Sequence, residues 1–267
     1  MAYNSIGFIG AGNMASAIIK GIIKSGMFKP EQIYASSKNG ASSEKLKNEL
    51  GINATSNKEI VNACDVVVLA VKPGMLTDVI KGFRADVKKE TLFISIVAGT
   101  SIERLKTMFL NDALNVVRAM PNTPALVGEA MTAICAEDNI SDSEKDFVLK
   151  LFESFGEAEY VPEKLMDAVT GVSGSSPAYV YMFIEALADG AVAEGMPRAQ
   201  AYKFAAQAVL GSAKMVLETG EHPGALKDAV CSPGGTTIEA VATLENLGFR
   251  SAVIEAERAC IEKSRVL

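Results

Sequence analysis

The sequence predicts an α/β protein in which a doubly wound parallel sheet forms the N-terminal part and an all-helical region follows it. Short β-branched runs alternate with helical patterns up to about residue 161, and strand patterns disappear after about residue 163. The run VVVLAV at residues 66–71 is apolar at consecutive positions, which is typical of a strand covered on both faces. A parallel sheet with helices on both sides explains such strands.

The strands are recognised by β-branched and apolar residues that lie between turn signals. The predicted strands are Ser5–Gly10, Gln32–Ala35, Val66–Val71, Leu92–Val97, Asn115–Met120, Met131–Ala136 and Glu157–Val161. We therefore expect one domain over residues 1–163 and a second one over residues 164–267.

Two long helices are predicted in the second region. The first covers residues 178–195 and ends at Gly195, and the second covers residues 197–220 and begins at Pro197. Ala, Val, Met, Phe and Tyr are spread around most of each helix, which favours burial on more than one side. We expect part of that burial to be against another subunit.

Composition favours a globular protein that acts on small molecules. The chain has 267 residues, 49% of them hydrophobic, and a formal net charge of −6. Acidic and basic residues are interspersed, so there is neither a basic stripe for nucleic acid nor a polybasic membrane anchor. The apolar N-terminal stretch is interrupted by glycines and lacks a basic segment, so we expect no signal peptide and a cytoplasmic protein.

The four cysteines are widely separated. Cys64, Cys135, Cys231 and Cys260 show neither the paired spacing of a zinc site nor a disulfide pattern. We expect most of them to be buried thiols and predict no metal site.

A glycine-rich turn follows the first strand. In GAGNMASAIIKGIIKSG, Gly10, Gly12 and Ala15 occupy the small positions of a G-x-G-x-x-G/A pattern between a strand and a helix. The first glycine allows the tight turn, the second lets a pyrophosphate approach, and the alanine lets the helix pack closely. The pattern predicts a Rossmann-type dinucleotide site with the phosphates at the helix start.

The end of the second strand bears on the choice of cofactor. An NAD site usually has Asp or Glu there, whereas this chain has Ser36, Ser37, Lys38 and Asn39. Hydroxyl, amide and ammonium groups can bind a 2′-phosphate that a carboxylate would repel. We expect NADPH to be preferred over NADH. An ordinary polar loop would leave NADH possible.

Three further strands end in small loops where a cofactor can lie, at residues 70–74, 96–100 and 118–124. Lys72 could be a catalytic ammonium, but its place before Pro73 favours contact with the cofactor. Asn122 either orients a ligand or stabilises its own turn.

The sequence offers no obvious catalytic acid for an alcohol or ketone substrate. The single histidine, His222, has the surroundings of a surface residue at a helix start. A C=N bond is basic enough to arrive protonated, so an imine needs only positioning and a hydroxyl near its nitrogen. Thr237 could supply that hydroxyl. Alternatively, Thr236 or Thr237 caps the following helix.

The motifs GFIGAGNMA, LAVKP, MPNTP, DAVTGVSGSSPAY and HPGALKDAVCSPGGTTIEAVATLE together resemble the Δ1-pyrroline-5-carboxylate reductase family over nearly the whole chain. The resemblance implies reduction of a cyclic imine to L-proline by NAD(P)H, the last step of proline biosynthesis. It also implies an α/β architecture with an NADP-binding Rossmann domain over residues 1–163 and a helical substrate-binding and dimerisation domain over residues 164–267. Homodimers, or larger homo-oligomers built from dimers, are expected.

The resemblance also implies roles for individual residues. Thr237 matches the threonine that contacts the imine nitrogen, and Gly234, Gly235 and Thr236 match the backbone that receives the substrate carboxylate. The positions implied to contact the cofactor are Gly10, Ala11, Gly12, Asn13, Met14, Ser37, Asn57, Ala70, Val71, Lys72, Pro73, Ile96, Val97 and Ala98. One departure is Ala229, where some members carry Asn.

Two alternatives remain at the level of sequence. A β-hydroxyacid dehydrogenase has a similar plan but requires a catalytic lysine on the helical half, where Lys203 lies in no matching motif. A non-catalytic NADP sensor or scaffold would share the glycine-rich turn but would not need the Gly-Gly-Thr-Thr segment.

Overall fold

A computed structural model describes residues 3–266 of the chain. The strands are β1 (Ile6–Ile9), β2 (Ile33–Ser36), β3 (Asn53–Ala54), β4 (Val66–Leu69), β5 (Leu92–Ser95), β6 (Val116–Met120), β7 (Ala130–Ala136) and β8 (Gly156–Tyr160). They form one eight-stranded sheet in the order β3-β2-β1-β4-β5-β6-β7-β8. The seven predicted strands are confirmed, and β3 was missed because two residues carry no pattern.

The predicted parallel sheet requires one correction. Every neighbouring pair is parallel except β6 and β7, which are antiparallel. A parallel crossover needs about a dozen residues or more. The connection at residues 121–129 is shorter than that and contains only a 3₁₀ turn, Thr123–Val127, so the chain reverses direction.

The helices are α1 (Asn13–Ser25), α2 (Ala41–Leu50), α3 (Asn57–Ala63), α4 (Leu76–Lys81), α5 (Ile102–Phe109), α6 (Asp142–Glu153), α7 (Met166–Val169), α8 (Ser176–Ala193), α9 (Arg198–Thr219), α10 (Pro223–Val230), α11 (Thr236–Asn246) and α12 (Phe249–Ser264). A π-helix, Thr170–Ser175, lies between α7 and α8. None of the helices described within residues 3–266 is both long and apolar enough to cross a bilayer.

The central strand β4 shows why the sheet is doubly wound. Val66 and Val68 pack into a core cluster that includes residues of α1 and α6. Val67 and Leu69 pack into a second cluster that includes residues of α3, α4 and α5. Because side chains alternate between the two faces of a strand, the continuous apolar run of β4 fills two separate cores.

The chain divides into two compact units. The N-terminal unit extends to Ser175 and also contains the segment from Cys260 onward, and the helical unit is Ser176–Ala259. This division falls later than the predicted change at residues 163/164 because the intervening segment packs with the N-terminal unit. The Arg118 guanidinium, 3.1 Å from Glu163 Oε1, binds the start of that segment, and Met166 lies in the core.

The helical unit has a small core of its own. Its buried apolar side chains are Ala188, Ala201 and Ala205, from α8 and α9. Many larger apolar side chains of the unit are exposed, among them Tyr181, Met182, Phe204, Leu210, Met215, Leu217, Leu247 and Ile254. The predicted apolar circumference of both helices is confirmed, but the single chain does not cover it.

The cysteines divide into two pairs. Cys64 and Cys135 are buried, and burial raises the pKa of each thiol to about 12. Cys231 and Cys260 are half-buried. The expectation of buried thiols is therefore confirmed for the two cysteines of the sheet region only.

A strained helix end gives a test of the fold. Leu110 ends α5 with a φ of 55° and is 73% exposed, while its N–H group donates to the carbonyls of Lys106 and Thr107. This left-handed conformation costs an L-residue roughly 1–2 kcal/mol. Glycine avoids that cost, but the greater conformational entropy of its unfolded chain offsets part of the gain in stability. We expect Leu110→Gly to raise the free energy of unfolding by about 0.5–1 kcal/mol, measured by urea denaturation.

Gly26 provides the matched control for Leu110, because it ends α1 with a φ of 76°. Gly26→Ala should lower the urea midpoint, since it introduces the strain that Leu110→Gly removes. A lower midpoint for Leu110→Gly would contradict the assigned backbone conformation.

Candidate active site

The glycine-rich turn joins the carboxyl ends of three parallel strands. Gly10 has a φ of +106°, and its N–H group donates to the Ser36 carbonyl over 3.1 Å. A Cβ atom at this position would lie 2.4 Å from the Ala70 carbonyl oxygen. Only glycine therefore fits between the ends of β1, β2 and β4.

Gly12 meets a different requirement. It is the N-cap of α1 in an extended conformation that any residue can adopt, and no side chain caps the helix. A Cβ atom here would have no protein atom within 4 Å. The first bond of this turn runs from the Ser16 N–H group to the Gly12 carbonyl, so the earlier N–H groups and the helix dipole are available to an anion.

A cavity of about 260 Å³ lies at this helix start. It is lined by Gly12, Asn13, Met14, Ala15, Ala70, Val71, Lys72, Ile96 and Pro121. The ends of β1, β4, β5 and β6 all contribute, as predicted for ligand loops in a doubly wound sheet. Lys72 is exposed and lies at the wall of this cavity, where it can contact a ligand.

A second cavity, of about 680 Å³, lies at the end of β2. It is lined by Ile9, Gly10, Ser36, Ser37, Lys38, Thr55, Ser56, Asn57, Lys58, Val71, Gly74, Met75, Asp78 and Val79. Val71 lines both cavities, so they adjoin. The second cavity combines polar and cationic side chains with the apolar Met75 and Val79, a mixture suited to an adenosine and a phosphate.

Hydrogen bonds fix the polar wall of the second cavity. The buried Ser36 hydroxyl donates to Asn57 Oδ1 over 2.6 Å, which leaves the Asn57 amide N–H groups to a ligand. The Ser37 hydroxyl lies 3.1 Å from the Ser43 hydroxyl and accepts from the Ser43 N–H group. Ser36 therefore orients Asn57, while the exposed Lys38 and Lys58 supply positive charge at the cavity.

Sequence reasoning missed part of this second cavity. The residues not predicted are Ile9, Thr55, Ser56, Lys58, Met75, Asp78 and Val79. A usable signal was the capping box of α3, in which Ser56 and Glu59 bond each other's main-chain N–H groups. It marks a second helix start beside the carboxyl end of β2.

Four predicted cofactor contacts line neither cavity: Ala11, Pro73, Val97 and Ala98. Ala11 and Val97 are buried in the core, so their side chains face away from solvent. Pro73 begins the 3₁₀ turn Pro73–Met75. Contact by Ala11 or Val97 would have to be made by main-chain atoms.

The Asn122 side chain does not stabilise its own turn. It is 8% exposed, its Oδ1 accepts from the Met131 N–H group over 3.0 Å, and its Nδ2 donates to the Ser173 carbonyl over 3.1 Å. The amide therefore connects β7 and the π-helix, beyond its own turn.

The Gly-Gly-Thr-Thr segment forms the start of α11 in the helical unit. Gly234 has a φ of +66°, and Gly235 is the N-cap. Thr236 and Thr237 are the first two residues of the helix, and neither hydroxyl caps it. The capping alternative is thus wrong. Because the first helical bond joins the Glu239 N–H group to the Gly235 carbonyl, the preceding N–H groups face a potential anion site.

The other candidate acid–base groups of the helical unit are on its surface. His222 is the N-cap of α10, and its Nδ1 accepts from the Gly224 N–H group over 3.0 Å. The expectation that it is a helix-start residue is confirmed. Lys203 is exposed on α9.

Two family profiles match the chain. The profile described as "Pyrroline-5-carboxylate reductase dimerisation" matches residues 163–267. The profile described as "NADP oxidoreductase coenzyme F420-dependent" matches residues 5–99.

Individual relatives agree with the first profile. The pyrroline-5-carboxylate reductase of Escherichia coli (strain K12) is 53% identical over 263 residues, which cover 98% of this chain and 97% of that protein. The crystal structure of Plasmodium falciparum pyrroline carboxylate reductase with NADP bound has a TM-score of 0.89 at 34% identity, covering 100% of this chain and 98% of that one. The enzyme of Streptococcus pyogenes has a TM-score of 0.89 at 36% identity, covering 98% of each chain.

The two glycines of the turn give a paired test. We expect Gly12→Ala to leave the melting temperature unchanged and to weaken NADPH binding at least about tenfold, or roughly 1.4 kcal/mol, because the methyl group fills space left for the phosphates. Gly10→Ala should lower both the melting temperature and the affinity, since its methyl group collides with the Ala70 carbonyl. Fluorescence titration with NADPH and thermal denaturation measure the two effects.

Wild-type NADPH affinity in Gly12→Ala would show that the phosphates do not lie at this helix start.

Proposed function

Because this chain belongs to the pyrroline-5-carboxylate reductase family, we propose that it binds the cofactor in the two adjoining cavities and the substrate at the start of α11. The protein is an oxidoreductase that reduces the cyclic imine Δ1-pyrroline-5-carboxylate to L-proline with NAD(P)H, the last step of proline biosynthesis. The observation that carries the proposal is the pair of uncapped helix starts, one in each unit, at Gly12 and Gly235.

The cofactor fits the residues present. The open space at Gly12 and the free N–H groups of α1 suit a pyrophosphate, and the small cavity next to them suits the nicotinamide end. The adenosine end belongs in the cavity with Met75, Val79 and Asn57. When bound, NAD(P)H supplies the hydride. Ala70, Val71, Lys72 and Ile96 give the ring a largely apolar surface that limits access of water.

The polar end of β2 supports a preference for NADPH. Ser37, Lys38, Asn57 and Lys58 line the cavity where a 2′-phosphate would lie. Hydroxyl, amide and ammonium groups bind phosphate, while an NAD site needs a carboxylate at this strand end. Asp78, the one carboxylate lining the cavity, belongs to α4 and not to β2.

The substrate carries a carboxylate next to a C=N bond, and the start of α11 offers a group for each. Main-chain N–H groups of Thr236 and Thr237 lie in the first turn, where the helix dipole favours an anion, while the Gly235 N–H group already donates to the Ser232 carbonyl over 3.0 Å. The Thr237 hydroxyl can accept from the protonated imine nitrogen. The segment 232–238 contains no ionisable side chain. A protonated imine needs no further acid, because hydride addition to carbon leaves its nitrogen as the neutral amine of proline.

A homo-oligomer fits the helical unit, and we infer a homodimer or a larger assembly of dimers. Large apolar side chains are exposed on α8, α9, α11 and α12, and exposed apolar patches mark protein interaction sites. The match to a dimerisation profile over residues 163–267 supports a second copy as the partner.

A cytoplasmic location is part of the same proposal. Its support is that Cys64, Cys135, Cys231 and Cys260 are free thiols, the state that a reducing compartment maintains.

The two alternatives have less support. A β-hydroxyacid dehydrogenase needs a lysine at the reacting atoms, and Lys203 lies exposed on α9. A cofactor sensor leaves the helix start at Gly235 without a ligand.

The direct test is oxidation of NADPH on addition of Δ1-pyrroline-5-carboxylate, followed by absorbance and by detection of proline. Turnover of 2-hydroxy or 2-keto acids instead would refute the proposal, and binding of NADPH without any turnover would favour the sensor.

Thr237 gives the sharpest test of the mechanism. We expect Thr237→Ala to lower kcat/KM for the imine by roughly 10- to 100-fold, the worth of one hydrogen bond to a charged group, and to leave the NADPH dissociation constant unchanged. Thr237→Ser should restore most of the activity.

The matched control for Thr237 is Thr243→Ala on the same helix, where the hydroxyl donates only to the Glu239 carbonyl. It should retain wild-type kinetics. An equal loss of cofactor affinity in Thr237→Ala would place this hydroxyl at the cofactor and contradict the assigned role.

The cofactor preference can be tested at Ser37. Ser37→Glu should reduce kcat/KM for NADPH by about 100-fold and change the value for NADH much less, because a carboxylate repels the 2′-phosphate. Asn39→Glu is the control, since Asn39 is exposed on the same loop but does not line the cavity. Equal losses with both cofactors would contradict the assigned phosphate site.

A further inference from the structure

One carboxylate oxygen joins two neighbouring strands of the N-terminal unit near their carboxyl ends. Glu163 Oε1 accepts from the Ile102 N–H group over 2.9 Å and from Arg118 Nη1 over 3.1 Å. Ile102 is the first residue of α5, the helix that follows β5, and Arg118 belongs to β6. Because β5 and β6 pair in parallel, with Ser95 opposite Arg118, Glu163 links two adjacent segments of the sheet.

Both bonds of Glu163 satisfy groups that need a partner. Arg118 is 6% exposed, and a buried guanidinium without a carboxylate or another acceptor is costly. The Ile102 N–H group belongs to the first turn of α5, where the helix itself provides no acceptor. The Ser101 hydroxyl caps α5 by accepting from the Arg104 N–H group, so the Ile102 N–H group depends on Glu163.

The loop between β5 and α5, residues 96–101, leads from the small cavity to Glu163. At its start, Ile96 lines the cavity, and the Ile96 N–H group donates to the Leu69 carbonyl of β4 over 3.1 Å. Beyond its far end, the bond from the Ile102 N–H group to Glu163 holds the first turn of α5. The loop is therefore fixed at both ends, and Glu163 supplies the second attachment.

Arg118 connects Glu163 to a further part of the same cavity wall. The strand that carries Arg118 ends at Met120, and the next residue, Pro121, lines the small cavity together with Ile96. Glu163 itself lines neither of the two cavities. Its effect on a cofactor is therefore exerted through the loop 96–101 and the end of β6.

We propose that Glu163 is a positioning residue for the cofactor, which holds the loop 96–101 and the end of β6 at the spacing that the nicotinamide end of NADPH requires. The inference rests on the proposed function, because it assumes that this end of NADPH lies in the small cavity. Glu163, Ile102 and Arg118 all belong to the N-terminal unit, so the proposal concerns binding within that unit.

The two ends of the cofactor should depend on Glu163 to different degrees. The larger cavity, assigned to the adenosine end, is lined by residues of other segments, and within residues 3–266 none of its lining residues comes from the loop 96–101 or from β6. Loss of Glu163 should therefore weaken binding of the nicotinamide end and leave the adenosine end unaffected.

Two ligands separate these ends. NADPH occupies both cavities in the proposed mode, whereas adenosine 2′,5′-bisphosphate lacks the nicotinamide end. We expect Glu163→Ala to raise the dissociation constant of NADPH roughly 3- to 30-fold, a range typical of residues that act without contacting the ligand, and to leave that of the bisphosphate within about twofold of wild type. Isothermal titration calorimetry measures both constants, and a general loss of structure would raise both.

Glu163→Gln is the conservative variant, and Glu144→Ala is the matched control. The amide oxygen of Glu163→Gln can still accept from the Ile102 N–H group, so it should restore most of the NADPH affinity. Glu144 is also a buried carboxylate at a helix start, where it accepts from the Ser141 N–H group over 2.8 Å. It lines neither cavity, so Glu144→Ala should lower the melting temperature and leave both dissociation constants unchanged.

The titrations distinguish failure of the inference from failure of the proposed function. Wild-type NADPH affinity in a folded Glu163→Ala variant would overturn the inference, as would an equal loss of affinity for both ligands. Absence of NADPH binding by the wild-type protein would refute the proposed function, and the inference with it.

A double variant covers the case in which Glu163→Ala does not fold. Arg118→Met together with Glu163→Ala replaces the buried ion pair by uncharged side chains, which proteins often tolerate better than one unpaired buried charge. The double variant should show the same selective loss of NADPH affinity. Retention of wild-type affinity for NADPH in the folded double variant would overturn the inference.

Discussion

The close approach of three strand ends at Gly10 is the constraint on which the proposed cofactor groove depends. The Gly10 N–H group bonds the end of β2, and the Ala70 carbonyl after β4 occupies the space where any side chain would stand. The start of α1 is therefore held against the sheet, with its free N–H groups at the edge where the neighbouring loops meet. The positions of Lys72, Ile96 and Pro121 follow from the same sheet geometry.

The two units differ in which apolar side chains they bury. The N-terminal unit fills cores on both faces of its sheet with Ile, Val, Leu and Phe. The helical unit buries only small side chains between α8 and α9 and leaves its large apolar ones exposed. The two proposed binding sites are divided in the same way, with the dinucleotide assigned to a helix start of one unit and the small carboxylate to a helix start of the other. The sequence changes character near residue 163 because the last strand ends at Tyr160, whereas the helical unit itself begins at Ser176.

Much of the sheet could be predicted because burial on both faces leaves a local trace. The consecutive apolar residues of β4 and the glycine pattern of the turn depend on neighbours close in sequence. The direction of β7 depended on the length of a connection, and the two residues of β3 carry no periodicity at all. Sequence alone therefore located β7 and the edge strand β8 as well as the central strands, but it did not give the short strand β3 or the direction of β7.

The candidate site shows the same limit. Segments at strand ends were predictable, since topology brings them together, but the partner of each side chain was not. Asn122 lay in a recognised loop, yet its side chain bonds to Met131, 9 residues later in the sequence, and to Ser173, 51 residues later. Likewise, the sequence allowed Thr236 or Thr237 to cap α11, whereas in the structure Gly235 is the N-cap. Such details depend on contacts that local patterns do not encode.

The small alanine core between α8 and α9 has a consequence for how the protein folds. With a second copy covering the exposed apolar faces, folding of the helical unit and association become one equilibrium governed by mass action. Thermal stability then rises with protein concentration, and newly made chains pass through a monomer whose apolar surface is open to non-specific association. In such an assembly, apolar side chains such as Phe204 and Leu217, which a single chain leaves exposed, would contribute to association and not to the stability of the monomer.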